Sequence, residues 1–184
     1  MELLCLDIMN SNRFGGYLAK PGKDMLDNDD WFRTLIDKWE LDAELPMKSH
    51  DLKALQELRG SMQQAVKYLN LDAKLCAKEF AKVNAILEKI PCMIQLVDDG
   101  INFMIKETPL CGGWTYVIWS VAYSFARLMS EYDKTRIKIC KNKDCGWIFY
   151  DESKSRTRRW CDHKICGNIM KVRRYRNRQK QTER

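Results

Sequence analysis

Apolar residues recur at spacings of three and four along most of the first 133 positions, a period that predicts helices. In "DNDDWFRTLIDKWEL" the repeat runs through Trp31, Leu35 and Trp39, behind several candidate capping residues between Asp24 and Asp30. After Ser49, one stripe joins Leu52, Leu55, Leu58, Met62, Ala65, Val66 and Leu69; Gly60 weakens it without breaking it. Asp72 can cap a third helix with Cys76, Phe80, Val83, Leu87 and Ile90 on its inner face, and Pro91 stops it.

The period then shortens. "CMIQLVDDGINFMIKE" sets two β-rich runs around Asp99 and Gly100, a strong hairpin signal because such turns need positive φ. "LCLDIMN" near the N-terminus reads as a short strand that can join this sheet, followed by the Gly- and Pro-punctuated loop "SNRFGGYLAKPG". "GGWTYVIWSVAYSFARLMSEY" carries Trp114, Val117, Ile118, Val121, Ala122, Phe125, Leu128, Met129 and Tyr132 at helical spacing, with its other face largely apolar too. It should be the central helix. The fold class expected is α+β and mostly helical: residues 1–133 a helical domain with a small antiparallel sheet, and residues 134–184 a separate domain.

Charge sharpens that division. Residues 1–133 hold 15 Lys/Arg against 20 Asp/Glu, whereas residues 134–184 hold 17 against 5. A basic block appended to a mildly acidic domain points to a polyanion, nucleic acid above all. Glu2 and Asp7 interrupt what a signal peptide needs, and the apolar run from Tyr116 contains Arg127 and falls short of the roughly 20 residues that span a bilayer. A cytoplasmic protein without a membrane partner is expected. There cysteines serve as thiols and metal ligands, with Cys5, Cys76, Cys92 and Cys111 expected in the core.

No catalytic signature stands out. His50 adjoins Ser49 and Asp51 before a helix, Asp98 and Asp99 belong to a turn, and Asp27, Asp29 and Asp30 suit a helix N-terminus. The expectation is therefore a binding protein, not an enzyme.

The chemistry sits in the basic block. Its cysteines are spaced Cys140-x4-Cys145-x15-Cys161-x4-Cys166, two short-range pairs that match a four-thiolate site for one structural zinc. His163 could replace Cys166 in the set, although Cys166 repeats the spacing of the first pair. "WIFY" alternates as a strand, with Trp147 and Phe149 on one face and Ile148 and Tyr150 on the other, as part of a hairpin between the pairs. Residues 134–184 are therefore expected to form a treble-clef-like zinc finger, and a segment of about 50 residues gains from a metal because its own core is small. Beyond Cys166, "GNIMKVRRYRNRQK" reads as a helix with Lys171, Arg174 and Arg178 on one side and Arg173, Arg176 and Lys180 widening the positive arc. Arg156, Arg158 and Arg159 add charge from the preceding loop, and Asn168 is a candidate for base contacts.

"CKNKDCGWIFYDESKSRTRRWCDHKICGN" resembles the CGNR zinc finger family, with its paired C-x4-C, D-x-S element, R-R-W-C and C-G-N run, over about Arg136 to Gln179. Weaker similarity in "LCLDIMN", "LKALQELRG", "VNAIL" and the hairpin points to the ABATE domain that precedes this finger in bacterial stress-response transcription regulators. The resemblance implies zinc on Cys140, Cys145, Cys161 and Cys166 and a DNA-binding transcription regulator. Ile169 departs from it, standing where the family has arginine. RNA on the same basic helix is the alternative, followed by a zinc-dependent protein contact; a small-molecule effector and a homodimer stay open.

Overall fold

The computed structural model describes residues 2–13, 24–71, 77–98 and 100–182. The loop over 14–23, the expected cap Asp72, the thiol of Cys76 and the turn residue Asp99 lie outside the described residues. Among the described residues, no helix is long and apolar enough to cross a membrane.

The architecture is mostly helical with two small antiparallel sheets. Helix α5 (Gly113–Glu131) is the hub, burying Trp114, Val117, Ile118, Val121, Ala122, Phe125, Leu128 and Met129 as its pattern predicts. Against it lie α1 (Leu4–Asn10), α3 (Ser49–Asn70) and α4 (Ala77–Glu88). Helix α3 buries Leu55, Leu58, Met62, Ala65 and Val66. It also buries Arg59, which forks onto Asp24 at 2.5 and 2.6 Å and reaches the Ser11 hydroxyl. In α2 (Asp29–Trp39), Asn28 is the cap, accepting from the Asp30 and Trp31 N–H groups. Phe32 and Leu35 fill its buried face, and Trp31 and Trp39 flank it.

The N-terminal segment differs from expectation. "LCLDIMN" is helical, not a strand, and all of it except Asp7 is buried. Seven residues interrupted by one half-buried polar side chain, Asp7, are too few to separate the helical period from the strand period, and here the contacts with α5 and α3 decide. The hairpin of β1 (Cys92–Asp98) and β2 (Phe103–Pro109) forms as predicted, with Gly100 at φ +85 accepting the turn. It stays two-stranded, and Ile94, Leu96, Phe103 and Ile105, on one face by register, are exposed. Cys5 is a core thiol, pushed up to about 12 by burial, whereas Cys92 and Cys111 are only half-buried.

The second sheet pairs β3 (Ile137–Ile139) with β4 (Ile148–Tyr150). It flanks the first cysteine pair, carrying it at its tip, and so does not stand between the two pairs. Strand alternation splits its side chains: Phe149 and half-buried Trp147 pack on the cysteines, while Ile148 and Tyr150 join the helical core with Ile137. The helical core thus extends into the basic block.

Candidate metal centre and basic helix

The first knuckle closes through local main-chain bonds. The Cys140 N–H donates to the Trp147 carbonyl at 2.8 Å and the Cys145 N–H to the Asn142 carbonyl at 2.9 Å. Gly146, at φ +66, makes the turn out of Cys145 that a side chain would strain. The second knuckle is a π-helical turn, His163–Gly167, started by the Asp162 carboxylate, which accepts from the Ile165 N–H. It runs straight into α6 (Asn168–Thr182). A Cβ on Gly167 would stand 3.3 Å from both His163 Nδ1 and Trp160 Cδ1, so those side chains must give by a few tenths of an ångström to admit one.

Between the knuckles, four sulfurs converge. Those of Cys140, Cys145, Cys161 and Cys166 all lie within 4.8 Å of one another. Cys145 to Cys161 and Cys161 to Cys166 are each 3.6 Å. Zinc–sulfur bonds of about 2.3 Å at tetrahedral angles put sulfurs about 3.8 Å apart, whereas a disulfide needs about 2.05 Å. The spacing and the all-thiolate donor set therefore fit one structural zinc, and the four cysteines are free thiols. Hydrogen bonds from Cys145 and Cys161 hold the Cys140 thiol far below its ordinary range, and the same contacts push Cys145 and Cys161 up. Phe149, Trp147 and Trp160 wall the cluster. His163 is exposed and not among the convergent groups.

One polar residue ties the parts together. Fully buried Asn142 donates Nδ2 to the Cys166 sulfur at 3.5 Å, while its Oδ1 accepts from the Asp144 N–H and from Arg173, both at 3.4 Å. Arg173 also pairs with Asp144 at 2.7 Å, which pins the start of α6 to the first knuckle.

Residues 136–179 match the CGNR zinc finger. No curated protein matches the chain. Within the CGNR finger, Asp151 and Ser153 of the D-x-S element have a defined task. Completely buried Asp151 accepts from Lys138 Nζ at 2.6 Å, from the Ser153 N–H and hydroxyl, and from the Arg158 N–H at 3.0 Å. Burial pushes its carboxyl up, but these donors outweigh it and hold it well below the carboxylate range. The basic loop is thereby folded around one anion.

The basic residues singled out in the sequence divide accordingly. Arg158 turns inward, lying 4.6 Å over the Phe149 ring and donating to the Trp160 and Cys161 carbonyls. Arg156, at φ +55, pairs with Asp133 at 3.1 Å. Arg173 is the anchor just described. Asn168 donates to the Lys164 carbonyl and so closes its own helix start. Arg159 is exposed beside Trp160, and Lys171, Arg174, Arg176 and Arg178 are exposed along α6. Ile169 is half-buried in the first turn of that helix. Tyr175 is 64% exposed and receives a bond from Gln179, so it does not hold the helix to the finger. The organiser Asn142 escaped the sequence reading, and Asp151 entered it only as part of the D-x-S element, a turn signature, without its task as an organiser.

Proposed function

We propose that this chain is a zinc-dependent nucleic-acid-binding protein that acts on duplex DNA as a transcription regulator. The observation that carries this reading is α6: every residue from Lys171 to Gln181 is exposed, although its first turn is pinned to the knuckles. A helix that buries no face within its own chain gains little from packing there and is marginal alone, so its partner lies outside. Lys171, Arg174, Arg176, Arg178 and Lys180 give that partner a negative charge. A helix about 10–12 Å across fits the B-DNA major groove of about 12 Å, whereas the major groove of A-form RNA is too narrow for side chains to read. Zinc supplies the fixed frame, with Cys166 next to the root of the helix. Ile169 cannot supply the arginine contact of the family, so phosphate contacts fall to the later cations.

The helical domain is the sensing part in this proposal, which takes up the ABATE resemblance read from its sequence. A pocket of about 320 Å³ between α1, α2, β2 and α5 is lined by Trp39, Tyr116, Trp119 and Tyr123, with Glu107 accepting from the Tyr123 hydroxyl at 2.7 Å. Aromatic walls around a few polar groups suit a small effector.

Titrating zinc-loaded protein with duplex DNA and with structured RNA, each across a salt series, tests the proposal. Duplex DNA should bind more tightly, with a log–log salt slope near about −5 for five or six phosphate contacts. Preference for RNA at every salt concentration would reverse the assignment.

A further inference from the structure

A cleft of about 460 Å³ runs along the seam between α3 and the CGNR finger. Six cations line it: Lys134, Lys138, Lys141, Arg156, Arg158 and Arg159, with no carboxylate among the lining residues. Three of these are already occupied. Lys138 pairs with Asp151, Arg156 with Asp133, and Arg158 with main-chain carbonyls. Lys134, Lys141 and Arg159 are exposed, and no ion pair with a described carboxylate engages them. Main chain sets two of them on neighbouring segments, because the Lys141 N–H donates to the Arg159 carbonyl at 2.9 Å. Like charges held together without a counter-charge repel, and an anion that enters relieves the repulsion.

The apolar part of the lining adds a second recognition element. Leu69 from α3 and Ile137 and Ile139 from β3 line the same cleft, and half-buried Asn70 bonds the Ile137 carbonyl at 3.0 Å and the Ile139 N–H at 3.2 Å. A flat ring can lie on that surface while its phosphate meets the cations.

We infer that this seam is a nucleotide site, in which Lys134, Lys141 and Arg159 take the phosphate and the half-buried side chains of Leu69 and Ile139 take the base, with Ile137 buried beneath them. The nucleotide is either a free phosphorylated ligand or one unit of the bound nucleic acid; only the second source rests on the DNA reading above. Because α3 and the finger each supply a wall, an occupant bridges the helical domain and the metal centre.

The test uses full-length zinc-loaded protein, AMP as probe, and amide NMR signals of Thr135, Lys141 and Arg159. AMP should shift these signals saturably in the wild type and in an Arg174→Ala/Arg176→Ala variant, and bind at least about tenfold more weakly to Lys134→Ala/Lys141→Ala. Both altered lysines are exposed, and unchanged zinc content and spectral dispersion verify that the variant is folded. If the occupant is a nucleic acid unit, Lys134→Ala/Lys141→Ala also makes the DNA salt slope shallower by about 2; if it is a free ligand, the slope stays while AMP binding falls. Absence of saturable AMP shifts in the seam, or equal AMP affinity in the lysine variant, overturns the inference, whatever α6 does with DNA.

Discussion

Asn10 holds both main-chain groups of Ile148: its Nδ2 donates to the Ile148 carbonyl at 2.9 Å and its Oδ1 accepts the Ile148 N–H at 2.8 Å. An amide side chain thus does for the open edge of β4 what another strand would do. Asn70 serves β3 in the same way from the end of α3. The CGNR finger is therefore docked on the helical core by two clamps, and the buried side chains of Ile137 and Ile148 fill the contact between them.

Replacing Asn10 by leucine leaves a buried N–H and a buried carbonyl without partners. At about 1–3 kcal/mol for each of the two stranded groups, the loss should be about 2–6 kcal/mol. Urea unfolding of the two proteins checks this, and an unchanged midpoint would show that the clamp contributes nothing.

Arg59 and Asp24 give a pH dependence of defined sign. Burial pushes the Asp24 carboxyl up, but the Arg59 guanidinium and the Leu26 N–H prevail and hold it below its ordinary value. A carboxyl with a depressed folded pKa contributes stability above its unfolded value of about 3.9, and loses that contribution as pH falls toward the folded value. Asp24→Asn should therefore be less stable than wild type near neutrality, with the gap closing below about pH 4. Urea midpoints across pH measure the gap; a constant gap contradicts the linkage.

Gly167→Ala crowds His163 and Trp160, each 3.3 Å from the new methyl. The expected cost is about 1 kcal/mol, the low end for overpacking. Adding His163→Ala should recover part of it, since that removes one of the two obstacles. Thermal melts of the single and double variants read the recovery.

The arginines of the basic block should separate into two groups. Arg158→Ala removes the guanidinium over Phe149 and its bonds to the Trp160 and Cys161 carbonyls, so it should weaken zinc retention against a chelator. Arg174→Ala and Arg176→Ala should leave zinc retention intact and each reduce the DNA salt slope by about 1. Chelator competition and binding isotherms on the same preparations distinguish the groups.

What the sequence revealed follows from how local each signal is. The stripes of α3 and α5 are periodic over many residues, and two cysteine pairs of equal spacing point to a metal site without knowledge of the fold, with His163 left as a rival to Cys166. Helix α1 was illegible because its seven residues, with Asp7 the one position not buried, are too few to show a period. Asn10 and Asn142 were illegible for another reason: each is a single polar side chain whose partners, Ile148 and Cys166, lie far along the chain. Positive charge was visible everywhere in the finger, but charge alone does not reveal that Arg158 and Arg173 turn to carbonyls, a ring and a carboxylate while Arg174 and Arg176 face outward.

The central claim is one zinc ion held by Cys140, Cys145, Cys161 and Cys166, with α6 rooted beside it. Zinc K-edge X-ray absorption on the full-length protein tests it most directly. Four sulfur neighbours at about 2.3 Å, with no light-atom ligand, are predicted. Three sulfurs with a nitrogen at about 2.0 Å would assign His163 to the site and contradict the account.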